Sequence, residues 1–107
     1  MEHWSFIIII VKAVKIIRYI TSNAQNRIPP LLQLFLWNLF DEMDVKSKDY
    51  LQVFKLTVKE GNQHIKHFQE QPKYSEEYTV LCDNPITEKV YIIIEGDIQT
   101  MLLAEDY

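Results

Sequence analysis

The sequence predicts an α+β fold: an antiparallel sheet of about five to six strands with one main buried helix, arranged in two layers. Two observations point there. A strongly apolar run at residues 30–43 opens with two prolines and has the length of a helix. From residue 49 onward the pattern changes to short β-branched and aromatic runs separated by turn signals. Consecutive hairpins make an antiparallel sheet, and a single apolar helix covers one of its faces.

The first element is the least regular. Residues 1–17 form an apolar N-terminal extension, with Phe6–Val11 (FIIIIV) as the strongest apolar run. It lacks the basic lead of a secretory signal, and Lys12, Lys15 and Arg18 interrupt the stretch after it. A membrane span needs roughly 20 apolar residues, so no membrane partner is expected. β-Branched residues dominate residues 5–20, which read as one broken strand or two short ones, buried or paired with a partner. An amphipathic surface helix is the competing reading. Asn23-Ala24-Gln25-Asn26 is polar and turn-like.

Pro29-Pro30 then starts the helix, because proline lacks an N–H that the first turn would leave unpaired anyway. Leu31, Leu34, Phe35, Asn38 and Glu42 follow helical spacing, while Leu32, Leu36, Leu39, Phe40 and Met43 lie at other angles. A helix this apolar is deeply buried or partly used in an interface. Leu34, Phe35 and Trp37 are expected inside the domain or its interface, with Gln33, Asn38, Asp41 and Glu42 wet. Self-association through residues 5–17 or the wide helix face, giving a homo-oligomer, is expected on the same ground.

Residues 50–58 form a strand, Glu60-Gly61-Asn62 a turn, and residues 63–70 pair back as a hairpin. Pro72 and the polar run to Glu77 read as a connection, and Tyr78–Cys82 as a short strand. Asp83-Asn84-Pro85 turns the chain into a strong strand at Glu88–Glu95. Glu95-Gly96-Asp97 leads to the closing strand at 98–104.

Composition bounds the rest. The chain has 107 residues, 48% apolar and 24% charged, which suits one globular domain spanning 1–107. The single cysteine, Cys82, excludes an intrachain disulfide and suits a reducing compartment, so the cytoplasm is the expected location. Two glycines leave no glycine-rich phosphate loop. The net charge of −4 is uneven: residues 1–40 carry four basic residues against Glu2, and residues 41–107 carry fourteen acids against seven lysines. That acidic body repels nucleic acid and attracts basic surfaces, although plain solubility is the simpler account of it.

Several segments together resemble one family: RYIT at 18–21, LQLFLWNLFDEM at 32–43, DYLQVFKL at 49–56, QEQPKY at 69–74, DNPITEKVYII at 83–93 and TMLLAEDY at 100–107. They are similar to small Firmicute proteins classed as domain of unknown function 960, over about residues 18–107. The first seventeen residues depart from the family, and Ser22-Asn23 stand where a glycine usually follows the threonine. The resemblance implies no catalytic residue. It implies an origin in plasmids, phages and integrated elements, and with it the class of anti-CRISPR inhibitors of type II-A Cas9.

No residue pattern amounts to a catalytic signature, and no enzyme, cofactor or metal is expected. His64 and His67 are spaced as H-x-x-H, but on a strand they point to opposite faces, and the plainer reading is two exposed hairpin histidines. Glu76, Glu77, Asp83, Glu88, Glu95 and Asp97 fall at strand ends and turns, where charges are ordinarily solvated. Cys82 has no nearby histidine and reads as a small hydrophobe. Tyr and Phe residues are plentiful, but the surrounding acids argue against direct nucleic-acid binding.

The expected function is therefore non-catalytic: a protein-binding inhibitor or regulator from a mobile element. Its acidic turns would meet a basic surface, such as that of Cas9 or its guide-RNA complex. The alternative is a housekeeping or homo-oligomeric binding module with another partner. Asp83, Glu88, Glu95, Asp97, Glu105 and Asp106 are the candidate contacts because they sit at turns and at the end of the sheet. Tyr107 adds an aromatic anchor.

Overall fold

A computed structural model describes residues 16–107. Six strands form one sheet: β1 (Ile17–Ile20), β2 (Leu51–Lys59), β3 (Asn62–Gln69), β4 (Tyr74–Val80), β5 (Glu88–Glu95) and β6 (Ile98–Leu103). Two helices, α1 (Ser22–Arg27) and α2 (Pro30–Glu42), lie between β1 and β2. A short 3-10 turn, Ala104–Asp106, follows β6. No helix among the described residues is long and apolar enough to cross a membrane.

The strand order is β1-β6-β5-β2-β3-β4. The hairpins pair as their turns dictate. Glu60 and Gly61 both have positive φ, 52° and 79°, which suits the right-handed twist of a two-residue hairpin. A Cβ on Gly61 would meet nothing within 4 Å, so the demand for glycine there is conformational. The sheet is α+β as expected but mixed rather than purely antiparallel. β1 lies parallel to β6, with Ile17 opposite Ile98 and Ile20 opposite Met101. The partner of β1 is about eighty residues away, and periodicity within a strand carries no information on the direction of so distant a neighbour.

Two local expectations are corrected. The polar stretch around Asn23–Asn26 is α1, a short helix rather than a turn. The Thr21 hydroxyl accepts from the Ala24 N–H, and Ala24 and Ile28 are fully enclosed, so capping and burial outweigh the turn-forming side chains. The run from Tyr74 to Glu77, expected as a connection, belongs to β4, which ends at Val80 rather than Cys82. As the edge strand, β4 draws its order from pairing with β3 and buries little, which is why its sequence is polar.

One face of the sheet meets the helices. Phe54, Leu56, Ile65, Val90, Ile92, Met101 and Leu103 join Leu32, Leu36, Leu39, Phe40 and Met43 of α2 and its C-cap in the core. These helix positions are spaced i, i+4, i+7, i+8, i+11, a stripe one residue out of step with the expected one. Leu34 is accordingly exposed, at 65%, while Phe35 and Trp37 are half-buried against the core. The buried stripe is apolar throughout, whereas the other turns polar at Asn38 and Glu42 and leaves Leu31 and Leu34 in solvent at its start. The expected N-terminal strand coincides with β1 at 17–20; the remainder of that reading, and the role of residues 5–15 in self-association, lie outside the described residues.

Candidate functional site

An apolar groove of about 500 Å³ lies between the start of α2 and the segment after β4. Pro29, Leu31, Leu32 and Phe35 form one wall and Val80, Leu81 and Cys82 the other. Asp83, Asn84 and Gln63 supply its polar atoms. Leu31 and Leu81 are 81% and 88% exposed, values far outside the range of a packed leucine.

Gln63 builds the floor. Its side chain is fully enclosed, and its Oε1 accepts from the Ile86 N–H at 2.8 Å while Nε2 donates to the Ile86 carbonyl at 2.9 Å. A further Nε2 contact reaches the Thr57 carbonyl at 3.0 Å. One amide thus clips the β4–β5 loop to the β2–β3 ladder and supplies backbone partners that an irregular loop otherwise lacks. On the helix side, Gln33 Nε2 donates to the Ile28 carbonyl at 2.7 Å, closing the turn that leads into α2.

The seven residues expected at a partner surface fall into separate places. Glu88 and Glu105 converge on Arg27, at 3.2 and 3.0 Å from its Nη1. Asp106 accepts from the Asn23 amide at 3.2 Å, and Tyr107 packs edge-on to Tyr91 at 5.6 Å between centroids. Asp83 borders the groove at this same end of the sheet. Glu95 and Asp97 flank the β5–β6 turn at the opposite end, about 23 Å away along β5. Glu88, Glu105 and Asp106 therefore also hold α1 to the sheet, whereas Asp83, Glu95 and Asp97 form none of the ion pairs among the described residues.

The histidines do point to opposite faces of β3, but only His64 is at the surface, where its Nε2 lies 2.8 Å from Glu77. His67 is fully buried, which corrects the expectation of two exposed rings. It stacks on Phe54 at 4.2 Å and meets Tyr74 edge-on. Gln52 donates its amide to the Gln69 side chain and the Asp49 carbonyl, so its Oε1 is left to accept from His67 Nε2 at 2.8 Å. His67 Nδ1 is then a buried acceptor with no partner. Burial, followed by the nearby Lys48 charge, pushes the ring pKa down to about 4. Among the described residues no group of three His, Cys, Asp or Glu side chains is placed to hold a metal ion.

Sequence reasoning missed Gln63, Leu31 and Leu81 as site residues. The available signal was the excess of apolar residues around the α2 axis, which announces an interface without naming the face.

No match was found among curated proteins. The fold is similar to a crystal structure of a protein of unknown function from Enterococcus faecalis, with a TM-score of 0.73 and 18% identity over 88% of this chain and 92% of that one. The family described as Staphylococcal protein of unknown function (DUF960) matches residues 17–106, from the parallel edge strand to the 3-10 turn, and the chain belongs to that family.

Proposed function

We propose that the chain is a non-catalytic protein-binding module, an inhibitor or regulator from a mobile element, whose partner seats apolar side chains in the groove beside α2. The exposure of Leu31 and Leu81 on the two walls of one concave surface carries the reading. Removing a leucine side chain from water contributes about 1.5–3 kcal/mol, so a few such contacts supply the centre of an interface. The partner's chemistry is set by the surroundings. Asp83 lies at the groove, and Glu88, Glu105 and Asp106 share its end of the sheet. A bulky apolar anchor flanked by lysine or arginine fits both.

The experiment compares two baits, the native protein and a Leu31→Asp/Leu81→Asp variant, cross-linked in host extract and read by mass spectrometry. Partners that depend on the groove should be lost from the variant, while circular dichroism shows an unchanged fold. Identical captures from both baits would refute the groove. The family resemblance makes a type II-A Cas9 with its guide RNA the first purified partner to try. Blocked DNA cleavage would identify it, and failure across a broad panel would remove the nuclease from the reading.

A further inference from the structure

Three lysines distant in sequence meet on the face of the sheet turned away from the helices. Lys55 of β2 stands directly opposite Lys89 of β5 on one side and Lys66 of β3 on the other. Strands lie about 4.8 Å apart, so the three form a straight basic row about 10 Å long. Glu77 continues the row on β4, but its carboxylate is engaged by His64. The ion pairs among the described residues include none of the three lysines. Like charges directly opposite one another destabilise a sheet, and in a chain with fifteen acids and eleven basic residues this row reverses the charge of the molecule locally.

The neighbouring cross-strand row is aromatic and aliphatic: Tyr91, Val53 and Phe68 lie side by side. The ammonium groups of Lys55 and Lys66 stand 5.8 and 5.6 Å from the centre of the Phe68 ring, and that of Lys89 stands 5.8 Å from Tyr91. Tyr107, 69% exposed, packs on Tyr91 and extends the row of rings. The buried residues of α2 pack on the other side of the sheet.

We propose that this face binds single-stranded nucleic acid, its phosphates running along Lys89, Lys55 and Lys66 and its bases stacking on Phe68, Tyr91 and Tyr107. A line of cations beside a line of rings matches a polymer that carries charge along one edge and flat rings along the other. An acidic peptide would use the lysines and leave the rings without a role. A duplex hides its base faces. The totals that argue against nucleic acid describe the whole molecule, whereas a strand a few nucleotides long feels mainly the charges within a Debye length, about 8 Å at physiological salt.

The test is fluorescence anisotropy with a labelled oligothymidylate and the full chain, repeated across salt concentrations. The native protein should bind at low salt. The triple variant Lys55→Gln/Lys66→Gln/Lys89→Gln should weaken binding at least about tenfold and reduce the slope of log affinity against log salt by about 2, at about 0.7 per lysine for a single strand. Phe68→Leu with Tyr91→Leu should weaken binding by about tenfold or more with the slope unchanged. Thermal melts of both variants establish that each is folded. Three results would overturn the proposal: no binding by the native protein at low salt, an unaltered slope in the folded triple variant, or competition by polyglutamate as strong as by unlabelled oligothymidylate.

Discussion

His67 couples one side chain to the stability of the molecule over a narrow pH range. Its ordinary pKa of 6.5 falls to about 4 in the fold, so the unfolded chain binds a proton that the folded chain refuses between these values. The stabilisation is complete above pH 6.5 and is lost as pH falls toward 4, to a total of about 3 kcal/mol. Urea unfolding at pH 7 and pH 4 should show that loss. His67→Phe should be less stable than the native protein at pH 7, because Gln52 Oε1 loses its donor. It should also lose less on acidification, and an equal loss in both proteins would contradict the assignment. Gln63 is the second residue whose role lies in its surroundings. Gln63→Leu strands the Ile86 N–H and carbonyl, at about 1–3 kcal/mol, and should loosen the groove loop as measured by amide exchange at Ile86.

At the level of elements, α2 carries apolar residues around most of its first turns and the sheet buries one stripe of them. Leu36 is fully enclosed and Leu34 is not. Leu36→Ala should cost about 2–5 kcal/mol and Leu34→Ala no more than about 0.5 kcal/mol in thermal or chemical unfolding. A large effect at Leu34 in a monomeric sample would reverse the placement of the helix. The β2–β3 turn makes the opposite kind of prediction. Glu60 holds a positive φ that asparagine tolerates better, so Glu60→Asn should raise stability by about 0.5–1 kcal/mol, read as a higher urea midpoint at constant slope.

For the whole molecule the decisive contact is the one that joins β1 to the far end of the chain. Arg18 donates to Gln99 Oε1 at 2.9 Å, pairs with Asp41 of α2 and lies 4.4 Å over the Trp37 ring. One guanidinium therefore ties the parallel edge strand to both layers, a geometry that lysine cannot reproduce. In Arg18→Lys, hydrogen exchange should accelerate at the Ile17 and Thr21 amides, which bond to Asp97 and Met101, and remain slow in β2 and β3. Uniform acceleration throughout the sheet would mean that β1 is part of the cooperative core and not a separable edge.

Much of this architecture is legible from residue order. Pro29-Pro30 and thirteen mostly apolar residues place α2, and the turns at Glu60-Gly61 and Gly96 place two hairpins, because each depends on neighbours a few residues apart. Polar α1 and the Tyr74–Glu77 half of β4 escape such a reading because a buried Ala24 and a ladder with β3 stabilise them from outside their own segments. The candidate acids are legible as turn and strand-end residues, but the convergence of Glu88 and Glu105 on Arg27 of α1 is not. The α+β class, the acidic balance and the family likeness are thus written in the order of residues alone. Long-range packing chose which stripe of α2 is buried, set the parallel direction of β1, opened the groove and brought Lys55, Lys66 and Lys89 together. Each of these depends on strand register and on contacts between distant residues, and local spacing carries no information about either.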